Sequence, residues 1–565
     1  MTRLALAVVL ATGSCCAAVS AQQVSTAQRM GNRTISGVVL GGASGQPLEG
    51  ADVMLRATSN MDAVADTTTD AQGRFSFDHL PDGRFQLSAV RRGYVETALE
   101  EHGELSTAIV TGDNLDTTGI VLTLPPLASI FGTVAEDSGD PVPRAQLHLF
   151  RQSPSDPEVK QRAGNATADE MGNFEFPHLV PGTYFICASG IPWYRPMQQR
   201  RPATGDNQPR SPLDVAYSLN CYPDSSDPAA AEPVSVNAGD RIETNLTMHP
   251  VPAMRIMVQV PRPQQGQGFA MPMLRQSIFG TSDSIQNGAT IFANPGPPIA
   301  SGDNPGDGKS MTAIITGIAA GHYDLQMQGG GGPDAAAARS GAIDVSTSDA
   351  SIDPSALAPL PAVSGKLVVA GSANLPSAAS IVLSTREGEQ VGSSRIQSNG
   401  SFSMPNIPPG EYEVALRNSS GLEVTELRTN GAGVGGATLT VGSAPIDLGV
   451  VASPAAGPVS GFVERDGKPS RGIFVLLVPA DPHAPRAAWR TNQSDSDGSF
   501  VFAHVIPGEY SVIAIEQGWN IDWRRPEVIA PYLARAESLT VQPGSRRVDL
   551  KDPVQAQPLT APASK

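Results

Sequence analysis

Cysteine, lysine and long apolar runs are what this chain has least of. It holds four cysteines in 565 residues, and Cys15 and Cys16 fall within the first 21, which leaves Cys187 and Cys221. Two cysteines cannot staple a disulfide-dense mini-domain, and they lack the Cys-x-x-Cys spacing of a redox or zinc pair. Lysine occurs six times, the formal net charge is −16 and no basic run interleaves with aromatics, so no nucleic-acid partner is expected. No stretch approaches the ~20 apolar residues of a spanning helix, so no transmembrane segment is expected in the mature chain. Also missing are the His-Glu-x-x-His pair of a helix-borne zinc site, the Gly-x-Ser-x-Gly elbow and the full phosphate loop ending in Gly-Lys-Ser/Thr. The expectation is therefore no catalytic residue, no metal and no cofactor.

Turn formers are plentiful. Glycine numbers 57 and proline 49, while 40% of residues are hydrophobic and only 17% charged. That balance favours β-modules with many turns over helices, and the length calls for several cores rather than one. At the start, Arg3 precedes the apolar run Leu4 to Leu10, and Val19-Ser20-Ala21 offers a small-residue cleavage site. Residues 1–21 thus read as a signal peptide. The protein is expected to be exported, with a periplasmic, outer-membrane-associated or extracellular destination. Thr12-Gly13-Ser14-Cys15 is a shadow of a lipoprotein box without its leucine, so lipidation at Cys15 stays open beside cleavage after Ala21.

A Gly-x-aromatic phrase followed by a turn and a second aromatic recurs about every hundred residues, the signature of domains in series. It runs Gly73 to Phe85, Gly172 to Tyr184, Gly400 to Tyr412 and Gly498 to Tyr510, with a degenerate copy from Ile318 to Tyr323. Phe75 and Phe77, two apart, must share the buried face of a strand. Pro181-Gly182, Pro409-Gly410 and Pro507-Gly508 suit type II turns, in which the glycine would take a positive φ. Ahead of each full phrase lies a Gly-x-Val-like strand: Gly37-Val38-Val39, Gly132-Thr133-Val134, Gly365-Lys366-Leu367 and Gly461-Phe462-Val463.

Together with Pro47 to Val53, Thr69 to Phe75 and Leu80-Pro81-Asp82-Gly83, these segments resemble the carboxypeptidase regulatory-like domain, a transthyretin-like β-sandwich. The layout is similar to multi-repeat exported bacterial proteins of the acidobacterial type. The resemblance implies an all-β fold, a tandem array of about five transthyretin-like or immunoglobulin-like sandwiches. The expected units are 30–125, 126–250 with a cysteine-containing loop, 251–353 with a long insertion from Pro261 to about Gly308, 358–453 and 454–552, then a disordered tail over 553–565. Short proline-containing junctions suggest a semi-rigid rod, and Gly329 to Arg339 a mobile loop.

Candidate chemistry is sparse. His79, His178 and His504 occupy one place in three modules and read as residues bracing a turn. Asp495-Ser496-Asp497-Gly498 opens like a calcium loop but runs straight into a strand, so it reads as a β-turn. Cys187 and Cys221 allow one disulfide or two separate thiols. All four tryptophans lie in the second and fifth modules, and Trp193, Tyr194, Trp519 and Trp523 fall in loops after the hairpins. They suit either ligand stacking or covering of their own sandwich. These readings favour an exported, non-enzymatic scaffold, adhesion or binding protein of the cell envelope. The alternative is a carbohydrate-binding protein using those aromatic loops. Partners would be polysaccharide or envelope proteins, and the oligomeric state stays open.

Overall fold

The computed structural model describes residues 31–42, 44–59, 61–153, 156–193, 213–261, 271–284, 290–293, 310–328, 338–371, 375–434, 438–481, 484, 488–523, 525–542 and 545–559. The signal peptide, Cys15, Tyr194, residues 329–337 of the glycine-rich loop and the last six residues lie outside them.

Five buried clusters follow one another along the chain, spanning Ile35 to Leu124, Ala128 to Met248, Met254 to Leu357, Val363 to Ala452 and Ala456 to Val554. The first shows the plan. Strand Arg33–Gly41 lies between Arg74–Leu80, which is antiparallel to it, and Ile120–Leu124, which is parallel. The facing sheet has Asp52–Ala57 between Ala63–Thr68 and Gly83–Val90, with Thr97–Ala98 and Ile109–Thr111 also pairing to Gly83–Val90. Alternation drives the closure: Phe75 and Phe77 are both buried, while Arg74, Ser76 and Asp78 are exposed. The third module has the same two layers. Strands Met271–Ile278, Thr281–Ser284 and Thr290–Ala293 run within the stretch expected to be an insertion, and the first pairs with Gly321–Gln328.

The Gly-x-Val motif has a packing cause. Gly37 lies beside Ile120 in the parallel pair, and a Cβ there would stand 2.0 Å from the Ile120 carbonyl oxygen. The same clash arises at Gly132 with Thr244 (1.7 Å) and at Gly365 with Leu448 (2.0 Å). At this one position the approach of the closing strand leaves no room for a side chain on the opening strand.

The hairpin turns differ from the type II expectation. The positive φ falls four residues earlier, on His79 (61°), His178 (62°), Asn406 (60°) and His504 (53°), and not on Gly182, Gly410 or Gly508. A Cβ at Gly182 would meet Arg151 Nε at 2.7 Å, whereas Gly410 and Gly508 make room for the aromatic two residues on, a Cβ at Gly410 meeting the Tyr412 hydroxyl at 2.9 Å. That hydroxyl then donates to the carbonyl four residues back. The bonds are Tyr184 to Val180 (2.7 Å), Tyr323 to Ala319 (2.9 Å), Tyr412 to Pro408 (2.8 Å) and Tyr510 to Ile506 (2.7 Å). The first module has Phe85 instead, and the Thr111 hydroxyl supplies the missing donor to Pro81 at 2.8 Å.

Of the two states left open for the cysteines, the disulfide holds: Cys187 and Cys221 are bonded, 34 residues apart, within a cluster that includes Phe150, Phe185, Leu219 and Ile278 of the third module. One more expectation changes. The tail is ordered as far as it is described: Val554–Gln557 runs parallel to both Val459–Arg465 and Gly508–Ile515, and Val554 is fully buried. Its apolar alternation was masked by the low-complexity residues that follow.

Gly365→Ala should destabilise the fourth module by about 3 kcal/mol, because backbone faces backbone and neither can yield. Tyr412→Phe should cost about 1 kcal/mol for one lost hydrogen bond. Hydrogen exchange resolved over residues 363–452 measures both, and unchanged protection in either variant contradicts the corresponding assignment.

Candidate functional site

Contacts between modules are where this chain concentrates its unusual polar chemistry. Consecutive units touch through their junctions: Leu127 N–H donates to Gly93 at 3.0 Å, Ala253 to Asp214 at 2.9 Å and Ala455 to Gly421 at 2.9 Å. The chain does not continue as a rod, however. The fifth module packs against the first, through groups some 390 residues apart in sequence. A further tie comes from Glu158 of the second module, 3.6 Å from both Arg386 of the fourth and Arg525 of the fifth.

The contact is built on a turn that every full module possesses. In the first module Asp70 caps its own turn, its Oδ1 accepting the N–H groups of Gln72 and Arg74 at 2.9 Å each. Asp169 does the same for Met171 and Asn173 at 2.8 Å. Both carboxyls are held below the usual range, Asp70 chiefly by the Arg74 N–H and Asp169 chiefly by the Asn173 side chain. The equivalent residue of the fifth module, Asp495, is released from that duty, because Asp497 accepts the Ser499 N–H at 3.0 Å. Asp495 turns outward to Arg84 of the first module, Oδ2 to Nη1 at 2.7 Å, and accepts the Ala108 N–H at 3.3 Å.

Around this pair the docking is dense. Arg84 also donates to the Ser499 hydroxyl at 2.6 Å. Ser496 donates its N–H to Ala108 at 2.9 Å, and its hydroxyl accepts the Val110 N–H at 2.9 Å. Ile109–Thr111 is an edge strand, and the fifth module thereby covers N–H groups that would otherwise invite pairing with another chain. Gln493, fully buried, donates to Glu100 O and Thr107 Oγ1 at 2.8 Å each, and its Oε1 lies 3.0 Å from His102 Nδ1. The His102 ring stacks on Trp519 at 3.4 Å with planes 15° apart.

That stacking fixes the surroundings of two of the four candidate aromatics. Trp519 and Trp523 are half-buried with Trp489 on the outer face of the sheet, over Phe474, Leu476, Ile513 and Ile515, with Leu105 of the first module against them. Trp193, in the second module, is 64% exposed. Strand Phe474–Pro479 is buried at every position, its inner face in the module core and its outer face beneath the tryptophans. The continuous apolar run at Phe474 to Val478 is the sequence signal for that second covered face. Nothing comparable announced Asp495, whose turn reads like the others. Among the described residues no group of three metal-ligating side chains converges.

Known families fit this construction. Residues 34–115 match the carboxypeptidase regulatory-like domain. Residues 458–531 match the BOS complex subunit NOMO1-like, second beta sandwich domain, so both regulatory-like and NOMO1-like signatures sit on the two modules that dock. No curated protein matches the chain. Among solved structures, the Bacillus anthracis TIE protein aligns at 8% identity and a TM-score of 0.16, over 95% of this chain and 76% of that one. The minor pilin of Streptococcus agalactiae aligns at 12% and 0.19, over 39% and 97%, and the Bacillus cereus major pilin subunit at 10% and 0.14, over 75% and 99%. Likenesses this slight carry no functional argument.

Burial pushes the Asp495 carboxyl from its ordinary 3.8 up to about 6, against the pull of Arg84 and with a smaller push from Asp497. A carboxyl raised on closure binds its proton more tightly in the closed protein than in the open one. Its contribution is therefore present at acid pH and lost as pH rises through about 6. The span is on the order of 3 kcal/mol at most. Thermal unfolding of wild type and Asp495→Asn between pH 4 and 7 should show the wild type losing stability relative to the variant as pH rises. Parallel curves would contradict a buried, raised carboxyl.

Proposed function

We propose that this chain is an exported, non-enzymatic β-sandwich protein that serves as a scaffold or binding body in the cell envelope. The observation that carries the reading is the docking of the fifth module on the first. It commits the buried Asp495 carboxylate, the Gln493 network and the Trp519 ring to holding modules in fixed relation, leaving the outer loops as presenting surfaces. The regulatory-like match at residues 34–115 agrees with a binding or structural part rather than a reaction centre. The test is retention of residues 22–565 on isolated envelope fractions. Saturable binding to one fraction, abolished by proteolysis or polysaccharide digestion of that fraction, is expected. Recovery of the protein unbound from every fraction would overturn the reading.

A second reading keeps one observation in its favour. The 64% exposure of Trp193 suits stacking on a sugar ring, whereas Trp519 and Trp523 already pack within the module contact. On a polysaccharide column, Trp193→Ala should elute markedly earlier than wild type, and identical elution would remove carbohydrate binding at this residue.

A further inference from the structure

We infer that the contact between the first and fifth modules is exchangeable, so that two copies of this chain join by docking the first module of each onto the fifth module of the other. The inference stands apart from the envelope reading and rests on how the contact is made. Its two faces differ and complement one another. One offers Arg84, Glu100, Thr107 and the edge at Ala108 to Val110, and the other Gln493, Asp495, Ser496, Ser499 and Trp519. A heterologous contact of this kind can close within one chain or between chains with the same bonds.

Parting the faces leaves both modules folded. The core cluster from Ile35 to Leu124 draws only on the first module, and that from Ala456 to Val554 only on the fifth. The contact is also mostly polar. Arg84, Glu100, His102 and Ser499 regain water when it opens, and the chief apolar loss is Leu105 and Trp519 against the tryptophan cluster. A substitute partner is constrained more tightly. Gln493 and Asp495 become buried, and a surface without matching donors and acceptors would leave them unpaired at a cost of about 1–3 kcal/mol each. The first module of a second copy presents the matching set by construction. Within one chain the faces meet at an effective concentration on the order of mM, so the closed monomer dominates in dilute solution and exchange needs crowding or a weakened internal contact.

Charge reversal tests this directly on residues 22–565. Arg84→Glu places a carboxylate against Asp495, and Asp495→Arg places a guanidinium against Arg84, so neither variant can close on itself. Mixed in equal amounts, the two can form a reciprocal dimer in which one contact is native and the other is charge-reversed but complementary. Light scattering after size exclusion should give monomers with an enlarged radius of gyration for each variant alone, and a species of twice the mass for the mixture. The double variant in a single chain should return to wild-type dimensions. A mixture that stays monomeric overturns the exchange, and single variants as compact as wild type overturn the role of this pair in closure. Should either single variant lose its β-sheet circular dichroism, native mass spectrometry of unlabelled and nitrogen-15-labelled wild type, concentrated together to about mM, decides. Mixed-mass dimers support the exchange, and monomers alone overturn it.

Discussion

Parallel pairing between the opening and closing strands is the constraint on which the rest of this molecule depends. In the first module Gly37 to Gly41 run alongside Ile120 to Leu124, and in the fourth Val363 to Val369 alongside Ile446 to Ala452. The chain thus enters and leaves each sandwich on adjacent strands of one sheet. Successive modules are joined by short junctions whose backbone groups bond across the joint. The side-chain-free position on the opening strand makes the close approach feasible and explains the glycine that opens the first, second and fourth modules, whereas a Cβ at Gly461 of the fifth would meet the Leu550 and Phe500 side chains.

Within that frame the hairpin is fixed by a hydroxyl, not by the turn's own glycine. The donor from tyrosine to the carbonyl four residues back recurs in four modules. In the first module Thr111 makes the bond from a different strand, so the acceptor is satisfied although Phe85 has no hydroxyl. Burial of the ring, which pushes the Tyr323 and Tyr510 hydroxyls up to about 12, is affordable because that bond pairs them. The exchange of donor in the first module also pins Ile109–Thr111, the strand whose free edge the fifth module covers.

The closed arrangement follows from small departures out of a common template. A turn carboxylate that caps its own loop in the first two modules is freed in the fifth, where Asp497 takes over the capping and Asp495 becomes a docking group. Buried polar groups specify an interface more sharply than apolar ones, because each must find its partner. Gln493, with three partners on the first module, is the extreme case. The apolar half of the contact, His102 and Leu105 on the tryptophan cluster, adds area without dictating register.

How much of this the sequence held is clear at particular residues. Spacing of Phe75 and Phe77, the Gly-x-Val openings and the recurring phrase determined a series of all-β sandwiches, since period-two burial and backbone clashes are local matters. The match of residues 34–115 to the regulatory-like domain lies at that level too. The pairing of Cys187 with Cys221 was open as one of two possibilities, while the two-faced burial of Phe474 to Val478 emerged only with the structure. Which residue took the positive φ was not legible, because both His79 and Gly83 can adopt the left-handed region that the turn requires. Nor could the rod be told from the closed form: Asp70, Asp169 and Asp495 open equivalent turns, and although Asp497 frees the last of them, only the approach of Arg84 from a distant module makes it an interface residue. Local rules acted within each module, while contacts between the two ends of the chain depend on where the intervening modules carry them.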